Sequence, residues 1–179
     1  MPRIYPIGVN DASKEVISAF NEHAQKYSAR ITNMKATLGK SLPSFEVYMQ
    51  WYVLYEELQK IIGKRMAPLY AYAVSYATEC PLCSTFFRKI IIESGENPEQ
   101  LNLTENEQKL MKFGSAIAQT QGHITDEVYD SIRNNYSEEE MVLLIAFAGQ
   151  MIATNIFSNV IETQIDDYLI DFLQPVKST

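Results

Sequence analysis

The chain has 179 residues, 46% of them hydrophobic and 21% charged, with only seven glycines and seven prolines. That is enough for one domain burying roughly 70% of its unfolded surface without staples, and the scarcity of turn residues favours long regular elements. The net charge of −7 argues against nucleic acid as a partner, because such binding needs clustered Lys and Arg; as surface charge it keeps the protein soluble.

Residues 1–12 read as extended. From Ser13, the residues Val16, Ile17, Phe20, Ala24, Tyr27 and Ile31 recur at three- and four-residue spacing, which predicts a helix over 13–38 that fades at Gly39. Ser44 then caps a second helix over 45–62, whose Phe45, Tyr48, Trp51, Tyr52 and Tyr55 are packing rings. Gly63 stops it. A third helix over 68–78 takes Pro68 in its first turn, where a missing N–H does no harm. Pro81 opens the next, over 81–94. Thr104-Glu105-Asn106-Glu107 is a capping box for a helix reaching about Thr120, and Thr125 caps a short one over 126–134. A second box, Ser137-Glu138-Glu139-Glu140, opens a helix over 138–162. Its apolar residues run nearly all round, which places it in a core or between subunits. A shorter helix covers 166–172. No strand pattern of useful length is present, so the expected fold is all-α: a single domain over 1–179 with seven to eight helices.

No apolar run reaches the 18 or more residues that span a bilayer, and Met1-Pro2-Arg3-Ile4-Tyr5-Pro6 lacks the features of a secretory signal. A cytoplasmic protein with no membrane partner is expected. In that compartment a CxxC motif is more often redox-active or metal-binding than a structural staple.

Both cysteines of the chain lie in Cys80-Pro81-Leu82-Cys83, where Pro81 marks a helix start. A CxxC at a helix N-terminus puts two sulfurs near unpaired N–H groups and the positive end of the helix dipole. That environment favours thiolate, and the spacing lets one sulfur resolve what the other forms. Two other readings stay open: half of a zinc site, for which a second pair of ligands is lacking, and a pair of small buried side chains.

Three features resemble the carboxymuconolactone decarboxylase family, its alkylhydroperoxidase D-like branch in particular. They are Ala73-Val74-Ser75-Tyr76-Ala77 leading into the CxxC, the acidic stretch Tyr136-Ser137-Glu138-Glu139-Glu140 before a long apolar helix, and the helix end Thr154-Asn155-Ile156-Phe157-Ser158-Asn159-Val160-Ile161-Glu162. The resemblance covers about 45–167, with the helix over 13–38 added in front. It implies an all-helical protein assembling into trimers or hexamers. It also implies that Cys80 and Cys83 cycle between dithiol and disulfide while reducing peroxides in an antioxidant role, re-reduced by a protein or small-thiol partner. In that branch the second cysteine meets the peroxide, which assigns attack to Cys83 and resolution to Cys80.

The chain departs from the branch at its proton relay: Pro68, Leu82 and Phe87 stand where a Glu and two His are found. Tyr72, Tyr76 and Glu79 are candidate replacements, although each has an ordinary structural reading. Arg88 and His123 are expected at the surface, and Asn155 and Asn159 in structural roles. No metal, nucleotide or flavin is implied. The function expected is a thiol–disulfide oxidoreductase of alkylhydroperoxidase type. The alternative is a non-catalytic oligomeric helical protein, or a redox sensor, that has lost the relay.

Overall fold

The computed structural model describes residues 1–174, and the described residues form eight α-helices and one 3₁₀ helix, with no strand. The α-helices are α1 (Lys14–Tyr27), α2 (Asn33–Leu38), α3 (Leu42–Tyr48), α4 (Trp51–Ala77), α5 (Pro81–Glu93), α6 (Glu105–Gln119), α7 (Asp126–Arg133) and α8 (Glu138–Val160); the 3₁₀ helix is Asp167–Phe172. Both capping boxes form, with Thr104 and Ser137 each accepting from the backbone three residues on, and Glu107 and Glu140 reaching back.

The second half of α4 is the axis of the bundle, packed against α5, α6 and α8. Ala67, Leu69, Tyr70, Ala71 and Val74 are buried along it. Tyr70 is wholly enclosed, and its hydroxyl donates to the Leu144 carbonyl of α8 at 3.1 Å, which satisfies a polar group that would otherwise be costly to bury. α6 comes close because Gly114 has no side chain: a Cβ there would sit 2.6 Å from Tyr70 Cε2.

Four expectations need correction. The helix foreseen over 13–38 is two helices. Ser28 takes a left-handed conformation (φ 48°) that ends α1, and the Thr32 hydroxyl accepts from the Lys35 N–H to start α2. The helix foreseen over 45–62 is also divided. α3 starts after Ser41, with Pro43 in its first turn, and Ser44 Oγ donates to Ser41 Oγ at 2.8 Å. Gly63 interrupts helical geometry (φ 82°, ψ 159°) as expected, yet the helix resumes at once, so Pro68 lies inside α4 and not in a first turn. The segment at 166–172 winds as a 3₁₀ helix.

The expected absence of an apolar stretch of spanning length is corrected by α8, which has the length and apolarity of a membrane span by composition; Met141, Leu144, Ala148, Met151, Asn155 and Ser158 nevertheless form a buried stripe along it, the spacing of a packed core helix. Val142, Ile145, Ile156 and Val160 remain exposed on the opposite face, so the helix is not covered all round within one chain.

Gly114→Ala should destabilise the protein by about 2 kcal/mol, because the new methyl overpacks a rigid ring. A lower denaturation midpoint with an unchanged slope in urea would show this; an unchanged midpoint would mean that α6 and α4 can separate freely.

Candidate functional site

α4 ends in a Schellman turn. The Cys80 N–H returns to the Ser75 carbonyl at 3.2 Å and the Glu79 N–H to the Tyr76 carbonyl at 3.0 Å, with Glu79 in the left-handed position (φ 51°) where glycine is usual. Cys80 therefore closes one helix and caps the next. Its extended backbone (φ −94°, ψ 103°) precedes Pro81 at the first position of α5, and its sulfur accepts the Cys83 N–H at 3.4 Å. α8 fixes this turn from the side. Asn155 Nδ2 donates to Thr78 Oγ1 at 2.6 Å, and Asn159 Nδ2 donates to the Thr78 carbonyl at 3.1 Å.

Both cysteines are free and buried. The Cys80 thiol is held below its ordinary pKa, chiefly by the hydrogen bond it receives from the Cys83 thiol and then by the N–H groups of Cys83 and Leu82, against burial. Cys83 is pushed well above its ordinary value by that same hydrogen bond, by burial and by the charge on Cys80. The two shifts set the order of titration: Cys80 gives up its proton first, and Cys83 keeps its own. The Ser158 hydroxyl acts in the opposite direction on Cys83. Sequence reasoning gave Ser158 no role of its own; its one signal was a position three residues after Asn155, on the same side of α8.

Cys83 forms part of the wall of a small pocket with a cavity volume of about 60 Å³ behind an open mouth. Five rings share that wall with aliphatic side chains: Trp51, Tyr52, Phe86, Phe87 and Tyr168. Its polar residues are Thr32, Thr154, Lys35 and Asp166. Lys35 is buried; its Nζ donates to the Arg30 carbonyl at 2.9 Å and to Tyr52 Oη at 2.8 Å. Burial brings Lys35 down to about 8, opposed by the Asp166 carboxylate. Cys80 opens instead onto two surface hollows, one beside Tyr76, Glu79 and Gln174, the other beside Ser158 and Asn159.

Of the candidate replacements for the relay, none reaches Cys83. Tyr72 accepts a hydrogen bond from Gln174 Nε2 at 3.0 Å. Tyr76 and Glu79 are exposed on the Cys80 side. Phe87 lies in the pocket wall and Pro68 in the core. Arg88 is buried and ion-paired with Glu99, a correction to its expected surface position. His123 is exposed in its loop. His23 is enclosed by the rings of Tyr27, Phe45 and Tyr52, and burial lowers it to about 4, so it is neutral at neutral pH. No cluster of three or more metal-ligating side chains occurs among the described residues.

No family model matches the chain, and no curated protein matches it by sequence. Solved structures share its fold. The debrominase Bmp8 superposes with a TM-score of 0.77 at 19% identity, covering 94% of this chain and 95% of that one. A Cys-to-Ala variant of Bmp8, in complex with 2,3,4-tribromopyrrole, gives 0.78 at 18% identity, covering 94% of each chain. An uncharacterized peroxidase-related protein from Silicibacter sp. TM1040 gives 0.68 at 12% identity, covering 88% and 87%. One from Ralstonia eutropha JMP134, described as an alkylhydroperoxidase AhpD core, gives 0.67 at 12% identity, covering 94% of each. The fold is all-helical and alkylhydroperoxidase D-like.

Removing the Cys83 thiol should raise the Cys80 pKa, because its strongest donor is lost while its burial stays. The near-ultraviolet thiolate absorbance of Cys83→Ala, titrated with pH, should rise at higher pH than the first step of the wild type. Equal midpoints would contradict the role of Cys83 as that donor.

Proposed function

We propose that the protein is a CxxC thiol–disulfide oxidoreductase of alkylhydroperoxidase type, reducing peroxides with the Cys80–Cys83 pair. The observation that carries this is the asymmetry of the two sulfurs: Cys80, at the α5 N-terminus, is held below its ordinary pKa, and Cys83, which donates to it and is pushed above its own, lies in the pocket wall. In this reading Cys83 meets the substrate and passes its proton to Cys80 as it attacks. The pair itself supplies the acid–base step that Pro68, Leu82 and Phe87 cannot. A thiol of raised pKa is the stronger nucleophile once deprotonated, and the neighbouring thiolate is the base within reach.

The electron balance is simple. Cys83 sulfur attacks one peroxide oxygen, the O–O bond breaks, and the distal oxygen leaves as alcohol or water after taking a proton. The resulting sulfenic acid is displaced by Cys80, forming the disulfide and releasing water. A protein or small-thiol reductant restores the dithiol, in keeping with a cytoplasmic antioxidant role.

A second reading has its own observation. The pocket beside Cys83 is lined by aromatic rings, and the chain shares its fold over nearly its whole length with a debrominase. A dithiol can also reduce an aryl bromide: two thiols and the carbon–bromine bond become a disulfide, a carbon–hydrogen bond, bromide and a proton.

The apolar face of Val142, Ile145, Ile156 and Val160 on α8 supports a homo-oligomer, trimer or hexamer, since a patch of that kind is seldom left in water. Light scattering should give a multiple of the 20.4 kDa chain mass, and Ile145→Lys with Ile156→Lys should reduce it; a wild-type monomer at micromolar concentration would remove this part of the proposal.

The redox reading is tested by adding cumene hydroperoxide to reduced protein and following disulfide formation by mass. Wild type should form the Cys80–Cys83 bond, Cys83→Ser should lose peroxide consumption by tenfold or more, and Cys80→Ser, which lacks both base and resolver, should oxidise Cys83 more slowly than wild type and form no intramolecular disulfide. Wild-type thiols that survive the peroxide unchanged would leave the scaffold or sensor reading in its place.

A further inference from the structure

The pocket beside Cys83 holds two incomplete hydrogen-bonding groups among its rings. Lys35 Nζ has two protein acceptors, the Arg30 carbonyl and Tyr52 Oη. An ammonium has three donors, so one lacks a hydrogen-bond partner among the described residues. Asp166 Oδ1 accepts the Asn33 N–H at 2.9 Å, whereas Oδ2 is buried without a partner. Lys35 and Asp166 feel each other's charge, yet they form no ion pair among the described residues. Both line the same pocket as Cys83. A buried polar atom left unpaired costs about 1–3 kcal/mol. One donor and one acceptor without partners therefore belong to two residues that line the same small space, beside five aromatic rings.

These two groups set the chemistry of what fits. A hydroxyl can both accept and donate, so it completes both at once. An aromatic ring suits the Trp51, Phe86 and Phe87 surroundings, where offset and edge contacts between rings add to simple burial. We propose that this pocket binds a small hydroxylated aromatic ring of the phenol class, its hydroxyl oxygen accepting from Lys35 Nζ and its O–H donating to Asp166 Oδ2. The ring then lies against the wall that contains Cys83. This names a substrate class for the reductive dehalogenation reading and rests on that reading for its chemistry; the binding itself is measured without turnover.

The surroundings support the assignment. Among the described residues, Asp166 supplies the carboxylate charge that acts on Lys35. The groups around it are Tyr52, whose hydroxyl burial keeps protonated, the half-buried Tyr168, held at about 12, the neutral His23, and Arg30, whose guanidinium stacks over Tyr168 at 4.7 Å. A site with one lysine charge, one carboxylate and protonated phenols is suited to a neutral, weakly acidic hydroxyl.

The test uses the full chain carrying Cys80→Ser and Cys83→Ser, so that no reaction occurs. Isothermal calorimetry compares 2,4-dichlorophenol with 1,3-dichlorobenzene, the same ring without its hydroxyl, at one pH below the pKa of the phenol. The phenol should bind at least tenfold more tightly. Lys35→Met and Asp166→Asn should each remove that preference and leave the dichlorobenzene affinity unchanged. Asp166→Asn keeps the shape of the side chain, so it serves even if Lys35→Met fails to fold. Equal affinities for the two rings, absence of phenol binding, or a preference that survives both substitutions would overturn the proposal. Intact phenol binding alongside wild-type thiols that neither form a disulfide with peroxide nor release halide from the phenol would instead retire the redox reading and leave the site standing.

Discussion

Cys80 belongs to two helices at once, and that constraint organises the rest of the site. As the last residue of the Schellman turn it donates its N–H back to Ser75 of α4. As the cap of α5 it turns its sulfur toward the Cys83 N–H. Neither role leaves the backbone freedom to move without breaking the other. The left-handed Glu79 between them carries a cost of roughly 1–2 kcal/mol for a residue with a Cβ. Asn155 and Asn159 hold the turn from α8, and Tyr70 and Gly114 hold the helix that leads into it. Much of the fold converges on placing one sulfur at one helix start.

Magnitudes decide what activates that sulfur. A helix terminus contributes about 0.3–1 kcal/mol at an exposed site, while a hydrogen bond to a charged group contributes about 1.5–3. The thiol of Cys83 is therefore the larger influence, and the helix dipole is secondary. In the proposed reaction this hydrogen bond takes the place of the missing Glu and His. A proton relay is needed where a lone thiol must be deprotonated; here the second thiol already donates to the first, and the proton it holds can pass along the same bond. The cost falls on Cys83, which is left protonated and buried, with only the Ser158 hydroxyl acting against that.

Much of this was legible in the sequence because it depends on local signals. Both capping boxes, the Gly63 interruption and the Pro81 helix start follow from neighbours within four residues. The left-handed turn at Ser28 had no such signal, since serine is not the residue that conformation favours. Missing that turn hid Lys35, because the split between α1 and α2 is what carries it to the pocket. A buried lysine is also rare enough that no pattern of spacing announces one. Arg88 was misplaced for a similar reason: its partner Glu99 lies beyond the end of α5, in a loop whose path the sequence does not state. The two sulfurs were found from their spacing, but which of them carries the charge depends on a contact between side chains that only the folded turn creates.

The central claim is that Cys80 and Cys83 titrate as a coupled pair with the charge on Cys80. Carbon-13 NMR of the two cysteine β-carbons, followed against pH in the reduced wild-type protein, reads each sulfur separately. The account predicts that the Cys80 resonance moves first, below the ordinary thiol range, and that Cys83 moves only well above it. Two resonances titrating together near the ordinary value, or Cys83 moving first, would contradict it.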